Sequence, residues 1–162
     1  MLDMATMFMY TIPVGETQDP PTPGYLVWRL ANKWRVAVDR DLAPLGLTHA
    51  QYVLMASLYG MALAGQRPSQ RELADHTGLE ALYVSKLARA LEAGGLITRT
   101  RDRQDTRTVR LELTDRGREA VRPAIAAVQV LLDRLLDPLG GRADPRTAAF
   151  IRDLTLLLNG PI

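Results

Sequence analysis

The sequence predicts a mostly α-helical fold carrying one small β-hairpin, and three observations predict it. The 162 residues are 47% hydrophobic but only 6% aromatic, a balance rich in Ala, Leu and Arg that favours helices. Apolar residues recur at three- and four-residue spacing along much of the chain, the period of a helix with one buried face. Towards residue 113 the period drops to two: Val109, Leu111 and Leu113 alternate with Thr108, Arg110 and Glu112, as in a half-buried strand.

Residues 1–23 read as an N-terminal extension, and Pro20, Pro21 and Pro23 bar regular structure at its end. From Tyr25 to about Arg40, Leu26, Leu30, Trp34 and Val38 mark a first helix, which Pro44 and Gly46 break. Thr48 with Gln51 forms a capping box. It opens a helix bearing Tyr52, Leu54, Met55 and Leu58 that stops near Gly65. Ser69 with Glu72 is a second capping box and opens a short helix to about His76. Gly78 is a break, and another helix runs from about Glu80 to Ala93, where Gly94 and Gly95 end it. Leu96–Arg101 and Arg107–Leu113 read as strands around a polar loop. Thr114 caps a long helix over 115–137, in which Pro123 is expected to force a kink or a restart. Asp144 as N-cap and Pro145 at the first helical position begin a last helix that ends before Gly160.

Composition excludes several kinds of chemistry. The chain has no cysteine, so disulfides and thiolate metal sites are out. His49 and His76 stand far apart and no pair has metal-ligand spacing, so no metal is expected. There is no Gly-rich phosphate loop or nucleophile elbow; neither catalysis nor a cofactor is expected. No stretch reaches the ~18 apolar residues that a membrane span needs. The opening MLDMATMFMYTIPVG lacks a positive start and a cleavage site. A soluble, cytoplasmic protein without membrane contact is the expectation.

Net charge is only +2, so any nucleic-acid surface must come from clustering. Two segments supply it. The helix from Ser69, the turn at Gly78 and the helix from Glu80 have the spacing of a DNA-binding helix-turn-helix; an αα-hairpin with a solvated face is the plainer alternative. Val84, Leu87 and Leu91 point inward, leaving Glu80, Ala81, Leu82, Ser85, Lys86 and Arg89 outside. The hairpin follows directly, and residues 98–117 hold six arginines. A helix for the major groove with a basic wing beside it is the winged arrangement. Arg99, Arg101, Arg103, Arg107 and Arg110 can neutralise phosphates, and one at the loop can enter the negative minor groove. Asp102 and Asp105 are placed to hold arginines extended. DNA contact is expected at Ser69, Gln70, Glu80, Ala81, Leu82, Ser85, Lys86, Arg89, Arg101, Arg103, Asp105 and Arg107. Helix 80–93 would lie in the major groove and wing 96–113 in the minor groove.

These segments resemble the MarR family of winged-helix regulators. The resemblance rests on Asp105, Arg107, Leu113, Thr114 and Gly117 in the wing, on APLGLTHAQYVLMASL, and on LARALEAGGLITR. It covers about residues 24–159. It implies a winged helix-turn-helix DNA-binding domain at 48–114 and a helical dimerisation region made of 24–47 and 115–162. It further implies a homodimer on pseudo-palindromic double-stranded operator DNA, with Asp105 orienting the wing and Arg107 in the minor groove. The chain also departs from the family. Recognition helices there often have Arg, Ser and Thr where this one has Ala81, Leu82 and Tyr83. Base readout is therefore expected to rest on Ser85, Lys86, Arg89 and an apolar contact to a thymine methyl.

The resemblance also implies the expected function: a ligand-responsive transcriptional regulator, a repressor, with a small aromatic or phenolic effector. Trp28, Asn32, His49, Tyr52 and Met55 are the candidates for the effector cleft, although tryptophans at helical spacing equally suit a core. The alternative is a winged-helix protein that binds DNA or a protein partner structurally, without sensing. Ile125, Val128, Leu132, Leu135, Leu136, Phe150, Ile151, Leu154, Leu157 and Leu158 exceed what one small lobe is expected to bury and point to a twofold interface.

Overall fold

A computed structural model describes residues 20–161; the expected extension over residues 1–23 lies almost wholly outside them. Helix α1 (Pro23–Leu42) begins three residues after the first of the prolines. The chain divides into two compact units, Met1–Asn32 and Lys33–Ile162. In the first, the rings of Tyr25 and Trp28 stack with centroids 6.4 Å apart. Arg29 lies over the Tyr25 ring and donates to its hydroxyl at 3.0 Å. Leu26, Val27 and Trp28 are exposed there.

The second unit holds the remaining elements. A 3-10 turn at Ala43–Leu45 closes on Gly46. Then come α2 (His49–Leu63), α3 (Gln70–Thr77), α4 (Ala81–Ala93), β1 (Ile97–Arg101), β2 (Val109–Leu113), α5 (Asp115–Leu136) and α6 (Pro145–Asn159). The capping residues act as their chemistry requires. Thr48 and Ser69 each accept from the backbone three residues on, and Gln51 and Glu72 return the bond. Gly78 takes a φ of 68° between α3 and α4, a conformation that a Cβ disfavours.

β1 and β2 pair antiparallel, Ile97 opposite Leu113 and Arg101 opposite Val109. The alternation in β2 sends Leu111 and Leu113 into the core. β2 starts at Val109, two residues later than expected, because Arg107 belongs to the hairpin turn. A feature that periodicity does not reveal widens this hairpin. Leu111 N–H donates to the Pro68 carbonyl at 2.9 Å, and Ser69 bridges Arg110. The approach to α3 thus runs as a third edge beside β2, tying wing to helix-turn-helix through the backbone.

One core serves the unit. α2 lies at its centre, against α3, α4, β2 and α5, and contributes Leu54, Met55 and Leu58 to a cluster with Leu73, Val84, Leu91, Ile97, Leu111 and Val121. Two expectations change here. Of the kink or restart expected at Pro123, the restart is absent: α5 is continuous from Asp115 to Leu136. The proline costs one backbone hydrogen bond at an exposed position, while Val121 and Ala124 beside it are fully buried and hold the helix in place. Val128 and Leu136, expected to need a second copy, are buried within the chain; Val128 joins the core that α5 shares with α2.

The junction of wing and α5 is tight. Thr114 caps α5 by accepting from Gly117 N–H at 3.0 Å, and its hydroxyl donates to the Gly95 carbonyl at 2.8 Å. A Cβ on Gly117 would stand 1.9 Å from the Leu96 carbonyl oxygen. Gly117→Ala is therefore expected to destabilise the fold by about 3 kcal/mol, the upper end of what overpacking costs. Urea denaturation checks this, and an unchanged midpoint contradicts the packing described.

Candidate nucleic-acid interface

α4 separates its residues by face. Val84, Ala88 and Leu91 are buried, and Glu80, Ala81, Leu82, Lys86 and Arg89 are exposed. Glu80, Leu82, Tyr83, Lys86 and Arg89 line one shallow groove on the outer face. Tyr83 was missing from the expected contacts, although it lies one turn from both Glu80 and Lys86. Ser85 is half-buried and its side chain is engaged: Arg89 donates to its hydroxyl at 3.0 Å and to its carbonyl at 3.3 Å. It steadies a guanidinium on the groove. Ser69 is buried and serves as the α3 cap. Gln70 is half-buried and accepts from Arg99 Nε at 3.3 Å.

The wing's arginines fall into two groups. Arg99 is occupied by Glu92 at 3.1 Å and by Gln70. Arg110 is occupied further. Its Nε donates to Asp102 at 2.8 Å, and its Nη1 donates to Glu72 at 2.9 Å and to the Arg67 carbonyl at 3.1 Å. These two, expected to neutralise phosphates, instead join wing to α3 and α4. Arg101, Arg103 and Arg107 remain exposed. The Arg107 side chain is 94% exposed, with Asp105 3.6 Å away.

The turn that carries Arg107 is built by aspartates. Asp102 accepts from the Gln104 and Asp105 amides at 2.8 and 3.2 Å. Asp105 accepts from the Arg107 amide at 3.1 Å and from the Thr108 hydroxyl at 2.8 Å. Bonds to the charged form lower a carboxyl's pKa. The Arg110 guanidinium, followed by those two amides, holds Asp102 down at about 2. The Thr108 hydroxyl and the Arg107 amide lower Asp105, and Ser69 lowers Glu72. The result is a hydrogen-bonded turn with arginines at its rim, beside a helix whose outer face is mixed basic and apolar. Such a pair can reach adjacent grooves of one duplex.

Comparison with known proteins agrees with this geometry. The family model described as transcriptional regulator SarA/Rot matches residues 42–123. The chain is 37% identical over 108 residues to the uncharacterized HTH-type transcriptional regulator YdcH of Bacillus subtilis, covering 67% of this chain and 74% of that one. The transcriptional repressor CouR, solved bound to a 23-mer DNA duplex, is similar at 31% identity and a TM-score of 0.72, over 84% of this chain and 92% of that one. A MarR-family regulator from Rhodococcus sp. RHA1 is similar at 25% identity and a TM-score of 0.69, over 86% and 93%. The chain belongs to the MarR family of winged helix-turn-helix transcriptional regulators.

In this MarR-family chain the residues expected to line an effector cleft have differing surroundings. In the first unit, Trp28 is 63% exposed, and its carbonyl accepts from the Asn32 side chain at 2.9 Å. In the second, Met55 is fully buried as part of the core. His49 and Tyr52 are half-buried one turn apart on α2. The His49 backbone amide donates to Asp39 at 2.8 Å. Burial lowers the His49 pKa and raises that of Tyr52, so both rings stay neutral near pH 7. Among the described residues no cluster of His, Asp and Glu suits a metal ion, and no helix is long and apolar enough to cross a membrane.

The clamp of this MarR-family wing has a pH signature. Asp102 titrates at about 2 in the folded chain against an ordinary 3.8. Its contribution to stability is complete above pH 4 or so, and is lost as pH falls through about 2. Asp102→Asn is expected to lower stability at neutral pH and to flatten the acid limb of the stability curve. Glu72 and Asp105 are lowered too, so some slope survives. Urea midpoints from pH 5 down to 2 measure it; parallel curves for variant and parent would exclude the clamp.

Proposed function

We propose that this regulator is a repressor that binds pseudo-palindromic operator DNA as a homodimer and releases it in response to a small aromatic or phenolic effector. One observation carries the DNA reading. Arg101, Arg103 and Arg107 stand unburied on a hairpin that ion pairs fasten to α3 and α4. α4 occupies the major groove through Lys86, Arg89 and its neighbours, and the wing tip enters the minor groove at Arg107. Ser69 and Gln70 hold α3 and the wing, and Asp105 holds the turn.

The homodimer is supported by α6. This helix buries just Thr147 within the chain, while Ile151, Leu156, Leu157 and Leu158 are 55–84% exposed. An isolated helix of this length is marginal in water, and an apolar face of this kind needs a cover. A second copy supplies one and sets two recognition helices about one DNA turn, roughly 34–36 Å, apart. The effector reading is supported by the family resemblance and by the neutral His49 and Tyr52 pair. Those rings offer polar tips and apolar faces on one side of α2. Quenching of tryptophan fluorescence by aromatic acids, with operator release at matching concentrations, tests it.

Selection of bound duplexes from a random pool, at stated salt, tests the function and yields the operator. An inverted repeat is expected; the absence of any enriched sequence rejects the reading. On that operator, Arg107→Ala is expected to weaken binding and to reduce the log–log salt slope by about one for each contact removed. Circular dichroism should be unchanged, since the side chain is exposed. Leu154→Glu combined with Leu157→Glu is expected to yield monomers that bind operator poorly. A parent protein that sediments as a monomer at micromolar concentration excludes the dimer.

A further inference from the structure

We propose that Leu82 reads a thymine by its C5-methyl group, making an apolar side chain a base-specificity determinant of this regulator. The proposal rests on the operator-binding reading above and deepens it by naming one base and the residue that recognises it.

Leu82 is 78% exposed on α4, on the same groove as Lys86 and Arg89. Val84, Leu87, Ala88 and Leu91 fill the inner face of that helix, so Leu82 does nothing for the core. An apolar side chain this exposed loses nothing by leaving water when a partner arrives.

The neighbours narrow the partner. Glu80 is the N-cap of α4, yet its side chain makes no capping bond. Its exposed carboxylate repels phosphate, which turns the first turn of α4 away from the backbone and towards base edges. Positive charge begins one turn later, at Lys86 and Arg89, and Ser85 holds Arg89 in place. The side chain that arrives first at the bases is therefore Leu82, with the Tyr83 ring, 42% exposed, beside it. Neither group can read a base by a bidentate hydrogen bond. Among the four base pairs, the major-groove edge offers one apolar group, the thymine methyl. A leucine side chain meets that methyl in van der Waals contact and excludes water from it. A cytosine in its place brings an amino group that the leucine cannot satisfy.

Replacing thymine by uracil removes the methyl and leaves base pairing unchanged. Each thymine of the selected operator is replaced in turn by deoxyuridine, and binding is measured for the parent, Leu82→Ala and Leu82→Met. One position per half-site is expected to cost the parent about fourfold in affinity, the value of one buried methyl-sized group. Leu82→Ala should bind thymine and uracil operators equally, and Leu82→Met, which restores an apolar reach, should recover most of the discrimination. Since Leu82 is exposed, all three proteins should melt alike. If the parent binds its selected operator yet ignores every uracil, or if Leu82→Ala keeps the same sensitivity, the proposal is overturned while the operator reading stands. If the parent enriches no sequence at all, the operator reading fails first and this proposal with it.

Discussion

The position of the wing depends on one guanidinium. Arg110 projects from β2 on the face opposite Leu111, and three partners from different parts of the chain converge on it: Asp102 from the hairpin turn, Glu72 from α3, and the carbonyl of Arg67. A planar fork with five donors suits this task where a lysine ammonium does not. Glu72 also closes the capping box of α3, so the residue that starts the helix-turn-helix is the one that receives the wing. Orientation of hairpin and helix pair is thereby a single structural variable. Exposed ion pairs contribute little individually. Here the pairs form a network that joins the backbone bridge between Ser69 and Arg110, and the geometry is shared among them.

The arginine cluster divides according to this constraint. Arginines at both ends of the wing sequence, Arg99 and Arg110, turn back to carboxylates of the chain and are partly buried. Those between them, Arg101, Arg103 and Arg107, face outward. A chain with a net charge of only +2 thus concentrates exposed positive charge at one rim, where release of counterions from DNA can be gained. The aspartates, which lower total charge, increase its usefulness: Asp102 and Asp105 each accept backbone amides of the turn through one oxygen and fix where Arg107 begins.

Much of this was legible in the sequence because it is local. Capping boxes at Thr48 and Ser69, the left-handed glycine at Gly78, and the alternation of Leu111 and Leu113 all depend on residues a few positions apart. The structure realises each. Family motifs carried the wing. What escaped is what depends on long-range pairing. No spacing rule links Arg110 with Glu72, 38 residues earlier, and arginines of one cluster look alike until their carboxylates are located. The over-counted dimer face has the same origin. Val128 and Leu136 share a helical stripe with Leu132 and Leu135, but periodicity does not say which part of the stripe the rest of the chain covers. Tyr83 is different: its place on the outer face, one turn from both Glu80 and Lys86, follows from helical spacing alone.

The composition of α4 and the wing points to a division of labour within the proposed interface. In the proposed operator complex, the charged groups on the wing and the later part of α4 would contact phosphate and minor groove, where affinity is gained with little discrimination. The first turn of α4 carries almost no positive charge and so adds little to affinity for arbitrary DNA. It presents a carboxylate, an alanine, a leucine and a tyrosine. A surface that is poor at binding DNA in general can discriminate well, because its few favourable contacts depend on which base is opposite. The clamp at Arg110 ties the wing to the helix-turn-helix through α3, so in the proposed complex a wrong base under α4 would also weaken the register of the wing on the backbone.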